Sequence, residues 1–209
     1  MSRERAQRLG LLGGTFDPPH VGHLWLATLA TGAMGLDRVL FIPAGTPPHK
    51  RRRRLSAAAD RTQMVRLAIA DNPAFELCEV ETARLGPSYT VETVEELQRR
   101  YPAPTRLVLV MAADSLAQID SWREPDRLLS LVEWAVGPRP GSPRPDRRAL
   151  RRRFGAAASR VHLLDGPALD VSSTQIRRRV AADLGIRYLV PRNVEELIRA
   201  RGFYHHARS

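Results

Sequence analysis

The stretch LGLLGGTFDPPHVGH, residues 9–23, decides how this chain is read. Leu9–Leu12 is an apolar run of the length a buried strand needs. Gly13-Gly14-Thr15-Phe16 then reads as a tight turn, where glycines let backbone N–H groups approach an anion without side-chain obstruction. Pro18 and Pro19 stiffen the chain, and Val21 to Met34 reads as a helix. His20 falls just before that helix or in its first turn, and His23 one turn later, so the two imidazoles share a face. The helix N-terminus attracts anions to the same place. On its own an HxxH pair is most often capping or core packing. A zinc reading is weaker still, because HxxH lacks the i,i+4 pair of HExxH and no third ligand is evident. No protein metal site is expected.

Working outward, apolar runs alternate with helical patterns. Val39–Pro43, Phe75–Val80, Leu107–Met111, Trp134–Val136 and Val161–Leu164 read as strands. Leu107–Met111 has no polar alternation, as expected of a central parallel strand. Ser56 is placed to cap a helix carrying Met64, Val65, Leu67, Ala68 and Ile69. Thr90–Arg100, Arg127–Leu131, Ser173–Ala182 and Asn193–Arg201 also read as helices. HKRRRRL (49–55) and GPRPGSPRPDRR (137–148) are loops by composition. This alternation predicts an α/β fold: one doubly wound, Rossmann-like parallel sheet with a C-terminal helical region, in a single domain spanning residues 1–209. Ligands in such folds bind beyond the carboxyl ends of the strands, where the strand order reverses. Gly13–His23 lies at such an end.

The 209 residues, 43% of them hydrophobic, suffice for a full core. No apolar run reaches the length of a membrane span, and the N-terminus lacks the apolar stretch of a signal peptide. No membrane partner and a cytoplasmic location are expected. Cys78, the one cysteine, reads as a small core residue. The formal net charge is +11, carried almost wholly by arginine; Lys50 is the one lysine. Such a charge suits anionic partners. Yet aromatics are only 6% and are not interleaved with the basic runs as a stacking platform requires, so no nucleic-acid partner is expected.

The chain has neither GxxxxGK[ST] nor GxGxxG after the first strand. GGTFDPPHVGH instead resembles the signature of the nucleotidyltransferase superfamily, whose [HT]xGH element follows the first strand. VSSTQIRRR (171–179) resembles the second signature, ISSTxIR, near the carboxyl end. Ser172 or Ser173 can cap that helix, and Thr174 and Arg177 lie one turn apart on it, which makes a second anion site. PPHK (47–50), GPSYT (86–90) followed by VETVEEL, ADSLAQIDSW (113–122), RPG (139–141) and the ending VPRNVEELIRARGFY (190–204) extend the likeness over nearly the whole length. Together they resemble the nicotinate-nucleotide adenylyltransferases. Ala112 stands where that family usually has glycine, and Val171 where it has isoleucine. Phosphopantetheine adenylyltransferases share the two end signatures but not PPHK, SYT and the tryptophan segment. Class I aminoacyl-tRNA synthetases carry a KMSKS loop that is absent here.

The resemblance implies adenylyl transfer from ATP to nicotinate mononucleotide, both small-molecule substrates, with Mg2+ accompanying ATP. It implies catalytic roles for His20, His23, Lys50 and Arg177. ATP would meet Gly13, Gly14, Thr15, Phe16, Ser172, Ser173, Thr174 and Asp114, the last through a ribose hydroxyl. The mononucleotide would meet His49, Tyr89, Thr90, Trp122 and Arg139, with Trp122 stacked on the pyridine ring. Asp17 reads as fixing the turn rather than binding metal. Whether the chain forms a homo-oligomer stays open.

Overall fold

A computed structural model of the chain describes residues 6–47 and 55–205. In chain order the elements are β1 (Arg8–Gly14), α1 (Val21–Met34), β2 (Arg38–Pro43), α2 (Ala58–Ala68), β3 (Phe75–Leu77), α3 (Thr90–Arg100), β4 (Arg106–Ala112), α4 (Ala113–Ala117), α5 (Pro125–Leu131), β5 (Glu133–Gly137), α6 (Arg147–Phe154), β6 (Val161–Leu163), α7 (Ser173–Ala181) and α8 (Arg192–Ala200). The six strands form one sheet in the order β3-β2-β1-β4-β5-β6, and every pairing is parallel. This is the doubly wound sheet that the alternation predicts.

The sheet is covered on both faces. Leu26, Ala27 and Ala30 of α1, Met64 and Val65 of α2, Ile176 and Val180 of α7, and Val194 and Ile198 of α8 share one apolar cluster. Val94 and Leu97 of α3, Leu116 of α4, Leu128 and Leu129 of α5, and Leu150 of α6 share the other. Strand residues divide between them by the two-residue period of side-chain direction. In β4, Leu107, Leu109 and Met111 join the second cluster, while Val108 and Val110 join the first. All five are buried, which is why the strand reads as a continuous apolar run.

Strand order reverses at β1. The chain runs outward from β1 through β2 to β3, then returns through α3 to β4 on the other side of β1. The β1–β2 ladder continues to Gly14↔Pro43, whereas the β1–β4 ladder is registered only to Leu11↔Leu109. The two strands part beyond Leu11 and leave a crevice. Gly13 is exposed at its floor although its strand is central.

Several local readings change. Ser56 does not cap α2: Ala57 occupies that position without a side-chain bond. Ser56 instead gives its N–H to Asp17 Oδ2 at 3.3 Å and its carbonyl to Arg61. The third strand stops at Leu77 rather than Val80, and Cys78, whose N–H still bonds the Phe41 carbonyl at 2.9 Å, is buried as expected. The loop assigned to 137–148 ends early, because Asp146 caps α6 by accepting from the Arg148 N–H at 3.0 Å. The short α4 was not anticipated. Among the described residues no helix is long and apolar enough to cross a membrane.

Candidate active site at the first strand

The turn after β1 is built around Phe16 and Asp17. Phe16 adopts φ 51°, a left-handed conformation uncommon for a large side chain. Its buried ring lies 4.9 Å from the His23 ring and 5.9 Å from Phe41. Of the predicted ATP contacts, Phe16 can therefore offer only backbone. Asp17 is 2% exposed and ties four segments together. Its Oδ1 accepts from the Tyr204 hydroxyl at 2.7 Å, its Oδ2 from the Ser56 N–H, and its carbonyl from Arg177 Nη1 at 2.6 Å. Fixing the turn is what Asp17 does here, in line with its expected role.

His20 occupies the N-cap of α1 in extended backbone, and its N–H donates to His23 Nδ1 at 3.1 Å. Accepting at Nδ1 leaves Nε2 of the neutral His23 ring as its N–H donor. The two rings stack with centroids 3.7 Å apart. His20 is more enclosed than an anion-facing histidine needs to be: it is 4% exposed, and its Nδ1 has no partner among the described residues. Burial, reinforced by the nearby Arg139 guanidinium, holds its pKa down to about 3. His20 is thus uncharged at neutral pH. A histidine whose folded pKa is depressed resists protonation that the unfolded chain accepts at about 6.5. Its contribution to stability is complete above pH 6.5 and is lost as pH falls toward 3. The wild type should lose about 2–3 kcal/mol more than His20→Gln between pH 7 and pH 4.5, measurable from urea midpoints across that range. Equal losses in the two proteins contradict the burial argument.

The second anion element docks directly onto this turn. Ser172 caps α7 by accepting from the Gln175 N–H at 3.2 Å. Ser173 Oγ donates to the Pro18 carbonyl at 2.8 Å, and Arg177 Nη2 donates to Thr174 Oγ1 at 3.3 Å. Arg139 Nη1 donates to the Val171 carbonyl at 2.9 Å, and its Nε lies 3.6 Å from Asp114 Oδ2. His20, His23, Arg139, Asp114, Ser173, Thr174 and Arg177 are therefore gathered around one crevice mouth.

Of the expected mononucleotide residues, Arg139 stands with this group, while Tyr89 and Thr90 stand at the start of α3. Arg123, next to Trp122 in the chain, lies over the Tyr89 ring at 4.7 Å and bonds Glu92 Oε1 at 2.8 Å at the start of α3, where Thr90 stands. Trp122 packs partly against the core. Ser88 Oγ accepts from the Gly45 N–H at 3.0 Å and so links this loop to the end of β2. His49, Lys50 and the Arg51–Arg54 run lie outside the described residues. A separate cleft of about 510 Å³ lies between β3 and α3. Its walls carry Arg84 and Arg100 beside Glu76, Glu79 and Glu96, and none of the predicted site residues, so cleft size does not mark the site.

A family model described as cytidylyltransferase-like matches residues 11–179. That span holds both anion elements. A relative from Desulfitobacterium hafniense (strain DSM 10664 / DCB-2), named "Probable nicotinate-nucleotide adenylyltransferase", is 42% identical over 199 residues, covering 95% of this chain and 96% of its own. One of the same name from Roseiflexus sp. (strain RS-1) is 45% identical over 196 residues, covering 94% and 97%.

The chain belongs to the nicotinate-nucleotide adenylyltransferase family.

It is accordingly a nucleotidyltransferase. The solved structure of Plasmodium falciparum nicotinic acid mononucleotide adenylyltransferase complexed with NaAD matches with a TM-score of 0.78 at 16% identity, covering 95% of this chain and 97% of that one. At that identity the likeness is one of fold. Ala112, the departure from the family glycine, sits at φ −90° and ψ 162°, extended backbone that any residue adopts. Three residues of the site's framework were not singled out from sequence: Arg61, Glu81 and Tyr204. Tyr204 ends a stretch that resembles the family, which is the signal that could have found it. Arg61 and Glu81 look like ordinary charged positions, and their burial arises only from the fold.

Proposed function

We propose that this enzyme transfers the adenylyl group of ATP to nicotinate mononucleotide, giving nicotinate adenine dinucleotide and pyrophosphate, a step of NAD biosynthesis. The observation that carries the reading is the docking of α7 on the β1 turn through Arg177 and Ser173. It joins two anion-binding elements at the point where strand order reverses, where such folds bind nucleotides. The names of the relatives supply the acceptor.

In the reaction a phosphate oxygen of the mononucleotide bonds to the α-phosphorus of ATP. The bond from that phosphorus to the bridging oxygen breaks, and its electron pair leaves with pyrophosphate. The attacking phosphate is already ionised at neutral pH, so no general base is needed. The protein's task is alignment and stabilisation of charge building on the leaving group. His23 Nε2–H, an uncharged His20 and the backbone at Gly13–Thr15 would face the triphosphate. Arg177 has further N–H groups beyond the two engaged by Asp17 and Thr174, and these would meet the β- and γ-phosphates. Lys50, with His49, would offset charge at the transfer point. Asp114 would accept from a ribose hydroxyl, and Thr90, Tyr89, Trp122 and Arg139 would hold the nicotinate nucleotide. Magnesium would arrive on the ATP phosphates and neutralise the departing pyrophosphate, held by substrate oxygens and water. Among the described residues no group of three or more His, Cys, Asp or Glu is disposed to hold an ion, and Asp17 already serves Tyr204 and Ser56.

The test is pyrophosphate release from ATP with nicotinate mononucleotide, nicotinamide mononucleotide or phosphopantetheine as acceptor. The acid mononucleotide should give the highest kcat/KM. Turnover with phosphopantetheine alone, or with none of the three, overturns the reading.

A further inference from the structure

Arg61 projects from α2, whose neighbouring Thr62, Met64, Val65 and Ala68 are buried and hold the helix rigidly on the sheet. Its own side chain is 2% exposed, unusual for an arginine. Each of its three guanidinium nitrogens donates to a different backbone carbonyl: Nη1 to Thr15 at 2.8 Å, Nη2 to Gly45 at 3.1 Å and Nε to Ser56 at 3.1 Å. These carbonyls belong to three separate segments. Thr15 lies in the turn after β1. Gly45 follows β2, and its N–H is held by Ser88, next to Tyr89 and Thr90. Ser56 precedes α2, and its N–H is held by Asp17. Burial weakens the proton affinity of the guanidinium, while the charge of Asp17 opposes that loss.

We infer that Arg61 is a positioning residue that sets the triphosphate-facing turn at Thr15 in register with the Gly45–Ser88 junction on the nicotinate side. This inference rests on the function proposed above. Arg61 touches neither substrate in that reading; it acts through the backbone that does. In-line transfer demands that both phosphates be held in a near-attack geometry, and a displacement of about 1 Å can cost about a hundredfold in rate. A planar fork on a rigid helix suits that task because its donors are fixed relative to one another. Two network links extend the brace. Glu81, buried under the same junction, accepts from the Thr93 hydroxyl at 2.8 Å. The Tyr204–Asp17 bond stiffens the opposite side.

The test compares Arg61→Met and Arg61→Lys in steady-state assays with ATP and nicotinate mononucleotide. Loss of folded protein alone lowers apparent kcat and leaves each KM unchanged; displacement of the two loops raises KM. Arg61→Met should raise both KM values about tenfold and also lower kcat per folded enzyme, because misaligned phosphates react slowly. Arg61→Lys should fall between, since an ammonium offers three donors without the fork. KM values within about twofold of wild type in folded Arg61→Met overturn the inference. If Arg61→Met does not fold, Arg61→Lys decides by the same twofold limit. Should the wild type show no turnover with nicotinate mononucleotide, the functional reading fails separately. The dissociation constant of a non-hydrolysable ATP analogue then decides: weakening of about tenfold in the variant supports the brace, and a constant within about twofold overturns it.

Discussion

Replacing Arg177 with methionine is expected to lower kcat/KM about a thousandfold, the scale seen when a donor aimed at developing charge is removed. The guanidinium has two jobs at one place. Nη1 fixes the Asp17 carbonyl in the turn after β1, and in the proposed reading the N–H groups not engaged by Asp17 and Thr174 would meet the leaving pyrophosphate. Methionine fills similar space but supplies neither charge nor donors. The fold should survive, because α7 is also anchored by buried Ile176 and Val180 and by the Ser173–Pro18 bond. Thermal unfolding should therefore fall by only a few degrees, in keeping with about 1 kcal/mol for a lost hydrogen bond. Arg177→Lys should recover part of the rate through charge and not all of it, because one ammonium cannot bond Asp17 and phosphate with the same geometry. Activity of Arg177→Met within tenfold of wild type removes Arg177 from the phosphate site.

Much of this architecture was legible in the chain because the signals are local. The helix over Val21–Met34 and that over Thr90–Arg100 fall where apolar spacing puts them, to the residue. β4 and β5 each extend a residue beyond their apolar runs at either end, since the ladder continues past the last buried side chain. Ser56 shows where such reading ends. A serine before an apolar helix is a good local cap, but Ser56 is tied through its backbone to Asp17 and Arg61, and α2 starts one residue later, at a cap position filled by Ala57. The strand read to Val80 ends early: Cys78 makes the last bond to β2, through Phe41, and Val80 is buried in the core beyond the ladder, which looks the same in sequence as a strand. At the site, the two signatures are legible because the residues that would meet phosphate are their own side chains. Its framework is another matter. Arg61 reaches three carbonyls far from it in sequence, and no spacing rule joins Thr15, Gly45 and Ser56. The shared face of His20 and His23 could be read locally, but the depth of His20's burial could not, and the charge of Arg139 near it comes from a residue over a hundred positions away.

Gly45→Ala is expected to separate the two halves of the site while damaging the fold. A methyl carbon there would lie 2.3 Å from the Glu81 carbonyl oxygen and 3.1 Å from its carbon. Both are backbone atoms, so neither can rotate aside as a side chain could. The chain after β2 must move away from the 81–88 loop. That movement breaks the Gly45–Ser88 bond and strains the adjoining bond from Ser88 N–H to the Thr46 carbonyl, 3.0 Å long. It also pulls the Gly45 carbonyl from Arg61. Overpacking at a fixed contact costs about 1–3 kcal/mol, and the lost bonds add about 1 kcal/mol each. In a chain of this size the melting temperature should drop by roughly 10 °C. The functional signature is selective: KM for nicotinate mononucleotide should rise about tenfold or more, because Tyr89 and Thr90 follow Ser88 directly. Gly13→Ala supplies the contrast. A methyl at Gly13 meets nothing within 4 Å, so stability should hardly change, while in the proposed reading the methyl would stand where the backbone approaches phosphate. That variant should melt near wild type and lose ATP affinity. If Gly45→Ala instead keeps both its melting temperature and its KM for the mononucleotide, the close packing of the Gly45–Glu81 junction does not hold the nicotinate loop in place.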